Sequence, residues 1–260
     1  MGITSTLKPN LSSGAQAKQI DPETWHLEIP SGPGDRYRLA RLDDYATLSR
    51  PVFPWKPPLT LELRAHASSQ TIPGTWGFGL WNDPFSLSLG FRGGTRRAPA
   101  LPNAAWFFFA SPPNYLSLRD DLPAVGSMAA TFQSNHWPTP LLALGALALP
   151  LLALPPVARI LRRFGKRYIR QDAVNLRLDA SKWHTYHLAW KSGQVSFSVD
   201  GENVLTTFIA PHPTLGLVLW IDNQYAAIPP NGHLGYGTLP NPVPAWIEIS
   251  NLNLQEGVYR

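Results

Sequence analysis

The chain has 260 residues, 22 Lys and Arg against 17 Asp and Glu, a formal net charge of +5, and no cysteine. The lack of Cys excludes disulfides, thiolate metal sites and a cysteine nucleophile, and it fits a reducing compartment. Six basic residues and no acid fall between Arg159 and Arg170, so the rest of the chain is close to neutral, which argues against a nucleic-acid-binding surface spread over the domain.

The first twenty residues are polar and are expected to be loose. They contain no apolar signal-peptide core, so a cytoplasmic setting is expected. Met1-Gly2 with Ser5-Thr6 matches an N-myristoylation pattern only weakly. From Trp25 onward short β-type runs recur: TWHLEIP, DRYRLAR, LTLELRAH, GTWGFGLWN, FSLSLG, AAWFFFA, YLSLR and MAATFQS. Pro, Gly, Asn and Asp loops separate them. After an apolar interruption the pattern resumes with AVNLRL, WHTYHLAWK, QVSFSVD, NVLTTFIA, LGLVLWIDN and PAWIEISNLNL. About fourteen strands suit two antiparallel sheets packed face to face. The expected fold is mainly β, a two-sheet jelly-roll sandwich over 21–260, interrupted by a short helical insertion at 138–171.

The insertion contains an uncharged run, Leu141 to Ala158, long enough to suggest a membrane span. Pro150, Pro155 and Pro156 break it. A single crossing would also separate strands of one fold. The expectation is a short apolar helix or loop, a bend, and a second helix from about Pro156. In that helix Val157, Ile160, Leu161, Phe164 and Tyr168 share one stripe, and Arg159, Arg162, Arg163, Lys166 and Arg167 occupy the remainder. This is the composition of an interfacial helix on anionic lipid. Leu149, Leu152, Ile160, Leu161 and Phe164, with the five basic residues, are therefore expected at the membrane. A cap over a cleft and an oligomer contact are the alternatives.

Two strands share a pattern. In GFGLWND, Gly77, Gly79, Trp81 and Asp83 alternate onto one face; in GLVLWID, Gly216, Val218, Trp220 and Asp222 do so. Glycine in a strand marks close approach of a ligand or another backbone. Tryptophan offers a flat apolar surface to a sugar ring or lipid chain. Trp81, Trp220, Gly77, Gly79 and Trp106 of AAWFFFA are thus candidate ligand contacts. The competing reading makes both Trp core residues and both Asp turn residues. Asp83, Asp222 and the loop residue His136 are the candidate acid–base groups, should the protein be an enzyme. His184 and His187, three apart on a strand, face opposite ways and cannot jointly hold a metal.

The stretch SKWHTYHLAWKSGQVSFSVDGENVLTT places two hairpins in succession, the second at Asp200-Gly201. It resembles the concanavalin A-like lectin/glucanase superfamily, as found in family-16 glycoside hydrolases and laminin-G-like domains. GTWGFGLWNDPF and AWIEISNLNLQ extend that resemblance over roughly 22–256. It implies a β-jelly roll that hosts lectins, hydrolases and adhesion modules alike. It is also compatible with a structural Ca2+ ion, although no acid cluster predicts one, and no other cofactor is expected. The family-16 hydrolases carry Glu-x-Asp-x-(x)-Glu on one strand, setting carboxylates along one cleft wall. Here the comparable strand is AAWFFFASPPN, without a carboxylate. Ordinary retaining hydrolysis is therefore not expected. The leading functional expectation is a peripheral membrane protein that holds a glycolipid, isoprenoid or similar amphiphile in an aromatic cleft. An enzyme acting on such a ligand and a diverged glycoside hydrolase are the alternatives.

Overall fold

The computed structural model describes residues 7–84, 97, 100–135 and 154–257. The chain folds into two seven-stranded antiparallel sheets and a small two-stranded one. Sheet A runs, in spatial order, β1 (Lys8–Ser12), β4 (Leu39–Asp43), β13 (Gly216–Asp222), β6 (Thr75–Trp81), β7 (Ala104–Ala110), β8 (Gly126–Ser134) and β9 (Ile169–Asn175). Sheet B runs β12 (Glu202–Thr207), β11 (Gln194–Val199), β10 (His184–Lys191), β5 (Leu59–Ala67), β16 (Ala245–Glu256), β3 (Thr24–Ile29) and β2 (Gln16–Asp21). The small sheet pairs β14 (Gln224–Ala227) with β15 (Gly235–Thr238).

Period-two alternation builds the sandwich. On β5, Leu59, Leu61, Leu63, Ala65 and Ala67 are buried, while Glu62 and Arg64 between them are exposed. Opposite them in the core lie Trp76, Phe78 and Leu80 of β6 and Leu217, Leu219 and Ile221 of β13. Trp76 stacks on Phe109 at 3.6 Å, and Tyr186 meets Phe78 and Phe107 edge-on at 4.9 Å. Each such ring or aliphatic side chain contributes about 1.5–3 kcal/mol by leaving water. The Asp200-Gly201 turn has φ of 51° and 84°, the left-handed pair that a tight hairpin requires. The Asp200 carboxylate also accepts from the Thr185 amide, which fixes the turn against β10.

The fold departs from expectation in three places. The N-terminal segment enters the sandwich earlier than its polarity suggests: β1 and β2 take residues from Lys8 on as edge strands, where polar side chains are tolerated. The run YLSLR is a loop with a bridge to β14 at Tyr115; Leu116 packs on the outer face of sheet A, and the carbonyls of Ser117, Leu118 and Arg119 accept from Arg162 rather than from a neighbouring strand. The β14–β15 hairpin comes from a stretch without strand-like alternation. The run FSLSLG lies outside the described residues.

The described part of the insertion is one helix, α1 (Pro155–Tyr168), which leads directly into β9. Ser134 at the end of β8 and Ile169 at the start of β9 are register partners. The insertion thus leaves and rejoins sheet A at neighbouring positions, and a segment with adjoining ends cannot carry the chain across a bilayer once. Among the described residues no helix is long and apolar enough to cross a membrane.

Candidate functional site

Sheet A is apolar on both faces. Its inner face joins the sandwich core, and its outer face carries a second cluster that includes Leu39, Tyr45, Phe53, Phe108, Met128, Val218 and Trp220. Trp81 and Trp220 lie on this outer face on adjacent strands, and Trp106 joins them from β7. Trp106 is the hub. Its ring centroid lies 5.8 Å from Trp81, 5.6 Å from Trp220, 5.8 Å from Phe108 and 6.0 Å from Phe132. Trp220 is nearly buried, whereas Trp81, Trp106 and Phe132 keep part of their surface open. The result is a continuous aromatic floor across four strands.

The glycines make that floor possible. A Cβ on Gly77 would lie 2.4 Å from the Phe107 carbonyl oxygen and 2.7 Å from the Trp220 ring. One on Gly216 would meet the Tyr45 ring at 2.2 Å, and one on Gly79, at φ +151°, would meet the Ala105 carbonyl oxygen at 2.5 Å and the Trp106 Cα at 2.6 Å. The close approach that a strand glycine signals is here made by the protein itself, through the β7 backbone and through the Trp220 and Tyr45 rings. The Trp81 indole N–H donates to the Tyr45 hydroxyl at 2.6 Å, and the Trp220 indole N–H donates to Thr75 Oγ1 at 3.0 Å. Both rings are therefore held rigidly.

The two candidate aspartates are far apart. β6 and β13 are antiparallel, with Asp222 opposite Thr75 and Trp81 opposite Gly216. From Thr75 to Trp81 the strand alone spans roughly 20 Å, and Asp83 lies beyond Trp81, whereas a retaining carboxylate pair needs about 5–5.5 Å. Asp83 is buried, takes a left-handed φ of 47° and pairs with Arg97. Arg97 also donates to the carbonyls of Tyr45, Ala46 and Leu48 and so fastens the 45–48 loop over that end of the face. Asp222 accepts from Thr75 Oγ1 at 2.8 Å, the Tyr37 hydroxyl at 3.2 Å and the Gln224 amide at 3.2 Å. Burial pushes its pKa up to about 6, against the lowering effect of these donors. His136 lies outside the described residues.

A carboxyl with a raised folded pKa binds more protons in the native than in the unfolded state. The stability cost of Asp222 is absent below the unfolded value near 3.8, grows as pH rises, and is complete above about 6. Asp222→Asn keeps acceptor and donor capacity without the charge. The stability of the native protein relative to this variant is expected to fall by about 2 kcal/mol between pH 4 and pH 7. Urea unfolding of both proteins across that range measures the difference; a flat difference would show that Asp222 does not carry this charge.

Helix α1 lies with its apolar stripe outward. Its buried positions are Ala158 and Arg162, whereas Ile160 is 62%, Leu161 52% and Phe164 49% exposed. This corrects the expectation for Arg162. Its guanidinium donates to the carbonyls of Ser117 (2.8 Å), Ile228 (2.6 Å), Leu118 (3.0 Å) and Arg119 (3.2 Å), and to Asp120 at 2.8 Å. It also sits over the Tyr115 ring. Lys166 pairs with Asp120 at the rim. Arg159, Arg163 and Arg167 are exposed. Leu149 and Leu152 lie outside the described residues.

Sequence patterning alone did not reveal Tyr45, Thr75 or Arg97 as supports of the aromatic floor. Nor did it reveal a row on the outer face of sheet B, where Glu248 accepts from both His66 (2.9 Å) and His26 (3.1 Å) beside Trp183 and Trp246. The only hint was polar alternation on β3, β5 and β16. Among the described residues no three His, Asp or Glu side chains are grouped so as to hold a metal ion.

No family model and no curated protein matches the chain. Among solved structures, a sialidase aligns at TM-score 0.45 and 11% identity over 98% of this chain, which spans only 17% of that protein. A family-16 endo-glucanase from Bacteroides ovatus aligns at TM-score 0.46 and 11% identity, covering 93% of this chain and 85% of the glucanase. A β-glucanase from Bacillus licheniformis aligns at TM-score 0.43 and 12% identity, covering 95% and 90%. The structural neighbours of this chain thus include a family-16 endo-glucanase and a β-glucanase.

Proposed function

We propose that this chain is a peripheral membrane protein that holds an amphiphilic ligand against the aromatic floor of sheet A. The observation that carries the reading is the orientation of α1. A helix that capped the sandwich would turn its apolar stripe inward. This one anchors through Arg162 and Ala158 and leaves Ile160, Leu161 and Phe164 facing out, with Arg159, Arg163 and Arg167 also exposed. That arrangement complements an anionic bilayer, with acyl chains under the apolar sector and headgroups beside the arginines. Burial of each apolar side chain contributes about 1.5–3 kcal/mol, and each Arg near an anionic surface about 1 kcal/mol. Trp81, Trp106 and Phe132 offer apolar surface for the ligand's rings or chains.

Flotation with vesicles of phosphatidylcholine, with and without phosphatidylserine, tests the membrane half. The chain is expected to float with the anionic vesicles, less so at high salt. Ile160→Glu combined with Phe164→Glu is expected to weaken binding at least about a hundredfold, given the burial lost at two sites. Absence of binding by the native chain, or equal binding by the variant, overturns the reading.

The second reading, an acid–base enzyme on the same face, draws on Asp222, held near pKa 6 next to Trp220. Its carboxylate oxygens already accept three hydrogen bonds within the protein, which favours the binding function over the enzyme.

A further inference from the structure

A cleft of about 560 Å3 opens at the root of α1, between the helix, the start of β9, the 118–121 loop and Ile209 beyond β12. Its walls combine apolar Leu118, Ile169 and Ile209 with the cations Arg119, Lys166 and Arg170 and the acids Asp120 and Asp121. The acids are already matched. Asp120 takes both Arg162 and Lys166, and Asp121 takes Arg119. Arg170, by contrast, donates to the neutral amide oxygen of Gln133 at 3.0 Å. The cleft therefore offers a guanidinium whose hydrogen bond here is to a neutral group, beside a rim pair, Lys166–Asp120, of the exposed kind that contributes little and is readily exchanged.

Its position on the helix matters. At about 100° per residue, α1 divides into three sectors: the docked one with Ala158 and Arg162, the apolar one with Ile160 and Phe164, and a basic flank of Arg159, Arg163, Lys166 and Arg167 between them. Lys166, the flank residue nearest the docked sector, forms one wall of the cleft. With the apolar sector in a bilayer, the basic flank lies at headgroup depth and the cleft lies beside it. A phosphate suits the chemistry, because a guanidinium fork binds it bidentately and an ammonium adds a point charge.

We infer that this cleft binds a phosphate group, carried either by an anionic lipid headgroup or by a soluble phosphoester. The lipid source rests on the membrane reading of α1; the phosphate chemistry does not. Two measurements on the full chain separate them. The first compares partition onto vesicles containing phosphatidic acid with vesicles containing phosphatidylserine at equal surface charge. The second follows backbone amide shifts of Asp120 and Gln171 during titration with inorganic phosphate. Partition is expected to favour phosphatidic acid by about tenfold, the worth of one charge-assisted contact. Arg170→Gln, and independently Lys166→Gln, is expected to bring that ratio to about one and to abolish the phosphate shifts. Both side chains are exposed, so the variants leave the fold intact. Phosphate shifts that need Arg170, without vesicle binding, uphold the site for a soluble phosphoester and remove the membrane reading. Vesicle binding without lipid preference and without phosphate shifts overturns the cleft inference and leaves the membrane reading standing.

Discussion

Replacing Arg162 with Met is expected to cost about 3–5 kcal/mol, the range for removing one partner from a buried, hydrogen-bonded charge network. The reason lies in what the guanidinium serves. The carbonyls of Ser117, Leu118 and Arg119, and that of Ile228 just past β14, converge on it from two segments, and it is the buried donor they share. Methionine fills the volume but donates nothing. Those acceptors are then left without their buried donor, or the loops open to water. In the second case α1 detaches from the edge of sheet A, and trypsin cuts at Arg159 or Arg163 much earlier than in the native protein. Urea unfolding gives the stability loss and proteolysis shows where it falls. Arg163→Met, one position on and exposed, is expected to stay within about 0.5 kcal/mol of the native protein. Equal behaviour of the two variants would mean that Arg162 does not anchor the helix.

Gly77→Ala is the second large effect. The new methyl group would meet the Phe107 carbonyl at 2.4 Å and the Trp220 indole at 2.7 Å. The carbonyl belongs to the β6–β7 ladder and cannot retreat, so Trp220 must leave its place and surrender its hydrogen bond to Thr75. Overpacking of this kind costs about 1–3 kcal/mol, to which the lost hydrogen bond adds roughly 1 kcal/mol. Trp220 fluorescence should shift toward that of a solvated indole, and an amphiphilic probe should lose affinity for the floor. Gly165→Ala supplies the opposite sign. It lies within α1 with its nearest neighbour, Leu118, at 3.8 Å, so alanine should stabilise the helix by about 0.5–1 kcal/mol. Gly77→Ala as harmless as Gly165→Ala would mean that Trp220 does not pack against Gly77.

Much of the sandwich was legible because its signals are local. LTLELRAH was read as a strand, alternation in GLVLWID separated Val218 and Trp220 from Leu217, Leu219 and Ile221 as the two clusters do, and Asp200-Gly201 marked its turn. The same alternation placed Trp81 with Asp83 and Trp220 with Asp222 on single faces. It could not say that the two strands run side by side in opposite directions. Antiparallel pairing sets each Trp near a glycine of its neighbour and sends the two aspartates to opposite ends. The β1 and β2 edge strands were missed because an edge strand needs only one ladder and little apolar surface.

The helix shows the same division. Its apolar stripe, its basic flank and its start near Pro156 all follow from residue spacing, which is set by the 3.6-residue turn. Which sector faces the protein does not. A stripe of Ile, Leu and Phe suits a membrane contact or a cap over the sandwich equally well on spacing, and the docked sector is the one with Arg162. Spacing cannot count the unsatisfied carbonyls of a distant loop, and those carbonyls decide the orientation. By itself the sequence determined most of the central strands, the faces of GFGLWND and GLVLWID, and one amphipathic helix, since each is fixed by periods of two or 3.6 along the chain. Only the tertiary structure decided which strands are neighbours, where the aspartates lie and which side of α1 meets solvent, because those depend on hydrogen-bond partners far apart in sequence.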